Sequence, residues 1–237
     1  MDDIGSARVF TVDAIAFDLD GTLLDTVHDL AAAVNLMLAE MGLPSVPVDE
    51  VRNMIGKGIA NLIGKVLTRV RGVHPNADEI AALLPVYQRG YASILGRETV
   101  LYPGVLTGLD RMRDAGFRLA VVTNKATRFV APHLAHAGIS QYFAAVVGGD
   151  DAAAKKPDAA PLVLAASRMH VPTARMLMVG DSVNDVEAAR AAGSPVLVLP
   201  YGYNEGASVQ TLAADGIVDS LEAVADRVTR VPASCIS

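Results

Sequence analysis

A doubly wound α/β core interrupted by an all-helical insertion is the fold this sequence predicts, and three observations predict it. Short apolar runs alternate with helical stretches from residue 104 onward. The block 25–96 carries helical spacing without a convincing strand, and polar residues gather where the apolar runs end. Repeated apolar strands separated by helices call for a parallel sheet covered on both faces, and right-handed crossovers make it doubly wound.

Taken in order, Ala14-Ile15-Ala16-Phe17 is an apolar run that stops at Asp18-Leu19-Asp20-Gly21-Thr22. That is the pattern of a buried parallel strand emptying into a functional loop. From Thr26 the spacing turns helical: Val27, Leu30, Val34, Met37, Leu38 and Met41 share a face, with Gly42 and Pro44 as the stop. Further helices are expected at 48–55, 58–71 and 77–95. After Pro103-Gly104 a helix over 104–115 leads to the strand 118–122, which ends at Thr123-Asn124. A helix over 126–137 leads to the strand 144–147, and one over 158–169 to the strand 176–179. A helix over 184–192 precedes the strand 196–199. The predicted organisation is a Rossmann-like core of residues 1–24 and 97–237, with a helical cap of residues 25–96 inserted into it.

The totals narrow the function. With 51% hydrophobic and 19% charged residues the 237-residue chain is a globular protein and not a disordered one. A net charge of −6 opposes binding to nucleic acid or to an acidic membrane surface, so neither is an expected partner. It also means that an anionic substrate must meet a local positive centre such as a metal ion. Cys235 is the only cysteine, so no intrachain disulfide can form, and it stands one place too late for prenylation. Asp2 and Asp3 stand where a secretory signal needs positive charge, and no apolar run is long enough to span a bilayer. A cytoplasmic protein, monomer or homodimer, is the expectation.

In a doubly wound sheet, ligands sit beyond the carboxyl ends of the strands. The residues there are Asp18, Asp20, Thr123, Asn124, Asp181 and Asp185, with Lys156 on the loop after strand 144–147. Phosphoryl transfer needs an in-line nucleophile, charge neutralisation and a proton for the leaving oxygen. Asp18 can be the nucleophile, forming an aspartyl-phosphate, and Asp20 the general acid and base. Two carboxylates facing a phosphate repel it unless a cation intervenes, and a hard Mg²⁺ suits carboxylate and water ligands. Asp181 supplies a third carboxylate for that ion, and Asp185 a partner for its waters or for Lys156. Thr123 and Asn124 offer donors to phosphate oxygens and Lys156 a fixed charge. Backbone N–H groups from Leu19 to Thr22, with Gly21 tolerating unusual dihedrals, can form an anion-binding concavity.

These segments resemble the four motifs of the haloacid dehalogenase superfamily, in order: Asp18-Leu19-Asp20-Gly21-Thr22, Thr123-Asn124, Lys156-Pro157 and Gly180-Asp181-Ser182-Val183-Asn184-Asp185. The helical insertion after the first motif resembles that family's cap of the first type. Within the superfamily the chain is most similar to bacterial phosphoglycolate phosphatases. The stretches that carry this likeness include Ile55-Gly56-Lys57-Gly58, Gly148-Gly149-Asp150 and Tyr201-Gly202-Tyr203-Asn204. Ala159 departs from the second proline common after the Lys-Pro pair and should alter only a helix start. The resemblance implies Mg²⁺ bound by Asp18, the Asp20 carbonyl and Asp181, with 2-phosphoglycolate as the small-molecule phosphate ester.

Other residues are assigned more plainly. Asp25 and Thr26 read as caps of the first cap helix, and Asn184 reads equally as a helix-start residue. Lys155 is expected to be solvated. Lys57 is either a surface lysine in a helix-breaking turn or a cation that reaches into the cleft to meet a substrate carboxylate. His133 and His136 lack a third ligand and read as a surface helix face. Arg69 and Arg71 suit a helix C-terminus. Asp20 argues against a dehalogenase or a Schiff-base phosphonate hydrolase. A sugar-phosphate phosphatase or phosphomutase keeps the same aspartates and is the alternative reading. A non-catalytic binding protein would be expected to lack a motif residue, and none is missing.

Overall fold

The computed structural model describes residues 8–230; Asp2, Asp3 and Cys235 lie outside the described residues. The chain opens with β1 (Phe10–Thr11), β2 (Ala14–Phe17) and β3 (Leu24–Asp25). Four helices follow, α1 (Val27–Glu40), α2 (Val48–Arg52), α3 (Ile59–Arg71) and α4 (Ala77–Ile94). It continues through β4 (Val100–Leu101), α5 (Val105–Asp114), β5 (Arg118–Val122), α6 (Thr127–His136), β6 (Phe143–Val147) and α7 (Ala160–Arg168). The last elements are β7 (Met176–Gly180), α8 (Val183–Ala192), β8 (Val196–Val198), β9 (Gly216–Ile217), α9 (Leu221–Ala225) and β10 (Val228–Thr229).

The main sheet runs β6-β5-β2-β7-β8-β9, parallel throughout. From the central β2 the chain steps outward through β5 and β6, then returns to the other side of β2 for β7, β8 and β9. The direction of winding therefore reverses at β2, and the loops leaving β2 and its neighbours part to open a crevice. Side chains alternate along the strands. Ile15 and Phe17 join a core built with Leu109 and Met112 of α5 and Leu221 of α9. Ala14, Ala16, Ala120 and Ala145 face α7 and α8, where Leu162, Ala165, Ala188 and Ala189 pack closely on that small-residue surface.

The insertion is the four helices α1–α4. Its entry and exit are joined by antiparallel pairing of β3 with β4, a pair that apolar patterning over so few residues does not reveal. Asp29 on α1 ties the exit further, accepting from the Gly96 N–H (2.8 Å), the Glu98 N–H (2.9 Å) and the Thr99 hydroxyl (2.7 Å). The cap has its own core around Leu38, Ile63, Leu67, Tyr87 and Tyr91, and Phe129 and Tyr203 of the sheet domain insert into it. α3 ends on Gly72 in the left-handed region, after Arg69 and Arg71 in its last turn. Among the described residues no helix is long and apolar enough to cross a membrane.

Candidate active site

Asp18, Asp20, Thr123, Asn124, Lys125, Asp181 and Ser182 meet at the carboxyl ends of β2, β5 and β7. Leu30, Ile55, Ile59 and Leu62 of the cap close the same cavity, whose volume is about 50 Å³. Both lobes therefore contribute to one site at the winding reversal.

Asp18 follows directly on β2. Its Oδ1 accepts from the Leu19 N–H at 2.7 Å and lies 2.9 Å from the Lys156 ammonium, so the carboxylate is oriented through one oxygen. Burial outweighs the pull of Lys156 and moves its pKa up to about 6, with the nearby Asp185 carboxylate adding to the rise. Lys156 is fully engaged. Its three ammonium protons have three acceptors: Asp18, Asp185 at 2.7 Å and the Val122 carbonyl at 2.8 Å. Burial alone would lower its pKa, but the Asp18 and Asp185 carboxylates outweigh it and hold the lysine charged.

Asp185 is occupied on its other oxygen as well. Oδ2 accepts from the Ser182 N–H (3.0 Å) and hydroxyl (2.7 Å), and with the Ser182 side chain completes a capping box at the start of α8. Its carboxylate serves Lys156 and the helix end. Asn184 is buried next to it, and its Nδ2 has no partner among the described residues.

Asp181 is buried and its pKa lies well above the usual carboxylate range, first through burial and then through Asp185 and Asp18. Thr22 donates its hydroxyl to Oδ1 (2.6 Å) and Tyr203 its N–H to Oδ2 (2.6 Å). Gly21 (φ +93°) and Gly202 make the room, because a Cβ on either would fall 2.4 or 2.3 Å from Oδ2. Oxygens of Asp18, Asp181 and Asp185 all lie within 4.8 Å of one another. So dense a set of oxygen donors, two of them driven toward protonation by crowding and burial, suits a hard divalent cation. With Asp185 committed elsewhere, Asp18 and Asp181 are the side chains left to hold one, together with the Asp20 carbonyl that the family resemblance adds.

Asp20 faces the cap. Thr26 donates its hydroxyl to Oδ1 (2.8 Å), and the Lys125 ammonium lies 3.0 and 3.1 Å from the two carboxylate oxygens. Burial would raise the Asp20 pKa, but Lys125 and these hydrogen bonds outweigh it and hold it below its ordinary value.

Several expectations change here. Thr22, expected to offer its backbone N–H to phosphate, gives that N–H to the Leu19 carbonyl (3.4 Å) and its hydroxyl to Asp181. The Asn124 side chain, expected as a phosphate donor, exchanges two 2.9 Å hydrogen bonds with the Lys156 backbone. Thr123 does keep its hydroxyl proton, since its oxygen only accepts, from the Lys125 N–H at 3.2 Å. Thr26 orients Asp20 instead of capping α1. Asp25 does accept from the Val27 N–H that opens α1 (3.3 Å), and it also accepts from Tyr203 Oη and pairs with Arg52 at 3.5 Å. Lys57 stands at its loop tip, but it is half-exposed, 3.8 Å from Glu205 and outside the cavity lining. His133 is not on a surface: it is fully buried against the Tyr91 ring, while His136 is exposed.

Lys125, Tyr91 and Tyr203 also belong to the site, beyond the residues the motifs mark. Lys125 immediately follows the Thr-Asn pair at a strand end, a position that patterning alone marks as rim. Nothing in the sequence announces Tyr91, which arrives from the cap.

A family model described as haloacid dehalogenase-like hydrolase matches residues 15–199. The chain belongs to that family. Among relatives of this hydrolase, a phosphoglycolate phosphatase from Nitrosospira multiformis is 48% identical over 210 residues, covering 89% of this chain and 92% of the relative. The plasmid-borne phosphoglycolate phosphatase of Cupriavidus necator is 44% identical over 211 residues, 89% and 90% of the two chains. A crystal structure of a predicted phosphoglycolate phosphatase from Haemophilus somnus superposes with a TM-score of 0.84 at 32% identity. It covers 91% of this chain and 97% of that one.

Proposed function

We propose that this hydrolase is a phosphoric monoester phosphatase that converts 2-phosphoglycolate to glycolate and phosphate through a phosphorylated Asp18. The observation that carries it is the meeting of two differently held carboxylates at the winding reversal: Asp18 on Lys156, and Asp20 on Lys125 and Thr26.

With Oδ1 fixed by Leu19 and Lys156, Asp18 presents its other oxygen to phosphorus. The new O–P bond forms as the ester O–P bond breaks. Thr123 donates to the phosphoryl oxygens, and the charge of Lys156 offsets theirs. An ester that enters as its monoanion (second pKa about 6) brings one proton with it, which reaches the leaving oxygen by way of Asp20. Asp20 returns that proton to the leaving alkoxide, then takes one from the water that attacks the aspartyl-phosphate. Bound Mg²⁺, held by Asp18, the Asp20 carbonyl and Asp181, would neutralise charge developing on the phosphoryl group. A cavity of about 50 Å³ holds only a few waters, which favours a small ester over a large one. The apolar Leu30, Ile55, Ile59 and Leu62 offer no partners to a sugar's hydroxyls, which favours a short acid over a sugar phosphate.

Phosphate release from a panel of phosphorylated metabolites tests this. 2-Phosphoglycolate should be the preferred ester, chelation of Mg²⁺ should abolish turnover, and Asp18→Asn should lose it while keeping the folded circular dichroism spectrum. Substantial activity in purified Asp18→Asn would remove the nucleophile assignment.

A further inference from the structure

We propose that Lys125 is the residue that reads the substrate's carboxylate, donating to the acid group of an ester enclosed beneath the cap and so selecting acidic leaving groups over neutral ones. This deepens the phosphatase reading above and rests on it.

The cations near the site are not equivalent. Lys156 has three acceptors for three protons and none to spare. Lys57 pairs with Glu205 at 3.8 Å and is not part of the cavity lining. Lys125 is the one cation among the described residues that line it. Its ammonium is almost wholly buried and contacts two groups, the Asp20 carboxylate and the Tyr91 hydroxyl at 2.6 Å. Asp20 Oδ1 and Oδ2 lie at nearly equal distances, 3.0 and 3.1 Å, so a single N–H shared between them leaves one for a third partner.

Position matches chemistry. Asp20 serves the bridging oxygen of the ester. In a two-carbon acid the carboxylate stands two bonds beyond that oxygen, so a cation touching Asp20 is within a hydrogen bond of it. Elsewhere the remote end of a substrate meets Leu30, Ile55, Ile59 and Leu62, which supply no charge. Enclosing a carboxylate against such a wall without a cation is costly, so discrimination falls to Lys125. Tyr91, delivered by α4, holds the ammonium in place only while the cap is seated.

The test uses two esters that differ only in the group read, 2-phosphoglycolate and ethyl phosphate, with the full chain and Mg²⁺. The parent should prefer the acid. Lys125→Met should slow both esters, because Lys125 also holds Asp20, but the ratio of their kcat/KM values should collapse by about thirtyfold, as loss of one charge-assisted hydrogen bond gives. Lys125→Gln should behave alike, and Lys125→Arg should keep most of the preference. In an Asp18→Asn background, calorimetry should show Lys125→Met weakening phosphoglycolate binding about tenfold more than ethyl phosphate binding. A preference retained in Lys125→Met and Lys125→Gln overturns the inference and leaves the lysine only as a support of Asp20. A parent without any preference for the acid overturns the substrate reading itself, and this inference with it.

Discussion

Two buried lysines reach the same site and do different work because their partners differ. Lys156 is saturated by Asp18, Asp185 and a carbonyl, so it is a fixed charge. Lys125 shares its charge between Asp20 and a phenol. The two aspartates are separated in the same way, since environment pushes Asp18 up to about 6 and Asp20 below its ordinary value. Two carboxylates of one short segment thereby acquire different tasks. If Asp20 handles the leaving oxygen's proton, Asp20→Asn should lower kcat by about 10²–10⁴ for alkyl esters. For p-nitrophenyl phosphate, whose phenolate leaves unaided, the fall should be smaller by at least about tenfold. Equal losses on both would assign the leaving-group proton elsewhere.

At the scale of elements, the decisive contacts are those that root the cap. Tyr203, from the loop after β8, gives its N–H to Asp181, while its hydroxyl accepts from the N–H groups of Thr26 (2.9 Å) and Val27 (3.1 Å) at the start of α1. One residue thus joins the acidic cluster to the start of α1. Asp29 does the corresponding work at the exit, with three donors on one buried carboxylate. Asp29→Ala should strand those donors at a cost of about 3 kcal/mol, lowering Tm by roughly 6–12 °C in a chain of this size. Differential scanning calorimetry reads this directly, and a loss below about 1 kcal/mol would mean that the linker finds other acceptors. The strands and helices around these contacts were legible because each carries several turns or a full apolar run. The pairs β3–β4 and β1–β10 were not, since two residues hold no period.

At the scale of the whole molecule, sheet domain and cap share a buried seam, and His133 lies in it. It faces Tyr91 across the seam, with Lys125, Asp20, Asp29 and His136 as the titratable groups acting on it. Neither ring nitrogen has a hydrogen-bond partner among the described residues. Burial, reinforced by Lys125, lowers its pKa from 6.5 to about 4. The unfolded chain then binds this proton more readily than the folded one. The stability that the neutral ring preserves above pH 6.5 is therefore lost as pH falls through the folded value near 4. The loss amounts to about 3 kcal/mol. Urea unfolding at pH 7.5 and 4 should show this extra loss in the parent and not in His133→Phe, and parallel losses in the two would place the acid sensitivity elsewhere.

By itself the sequence determined the layering, the order of the elements and the rim on which the chemistry sits. Apolar period and chain direction are local properties, and a parallel sheet has one edge where its loops can bind. It also pointed to Asp18, Asp20, Lys156 and Asp181 as the groups gathered there. What each polar group spends its hydrogen bonds on was decided only in three dimensions. Thr22 serves Asp181, Asn124 serves the Lys156 backbone, Thr26 serves Asp20, and Lys57 turns to Glu205 while Lys125 enters the cavity. Thr22 and Asp181 stand 159 positions apart, and donors and acceptors are matched by proximity after folding, which no spacing along the chain encodes.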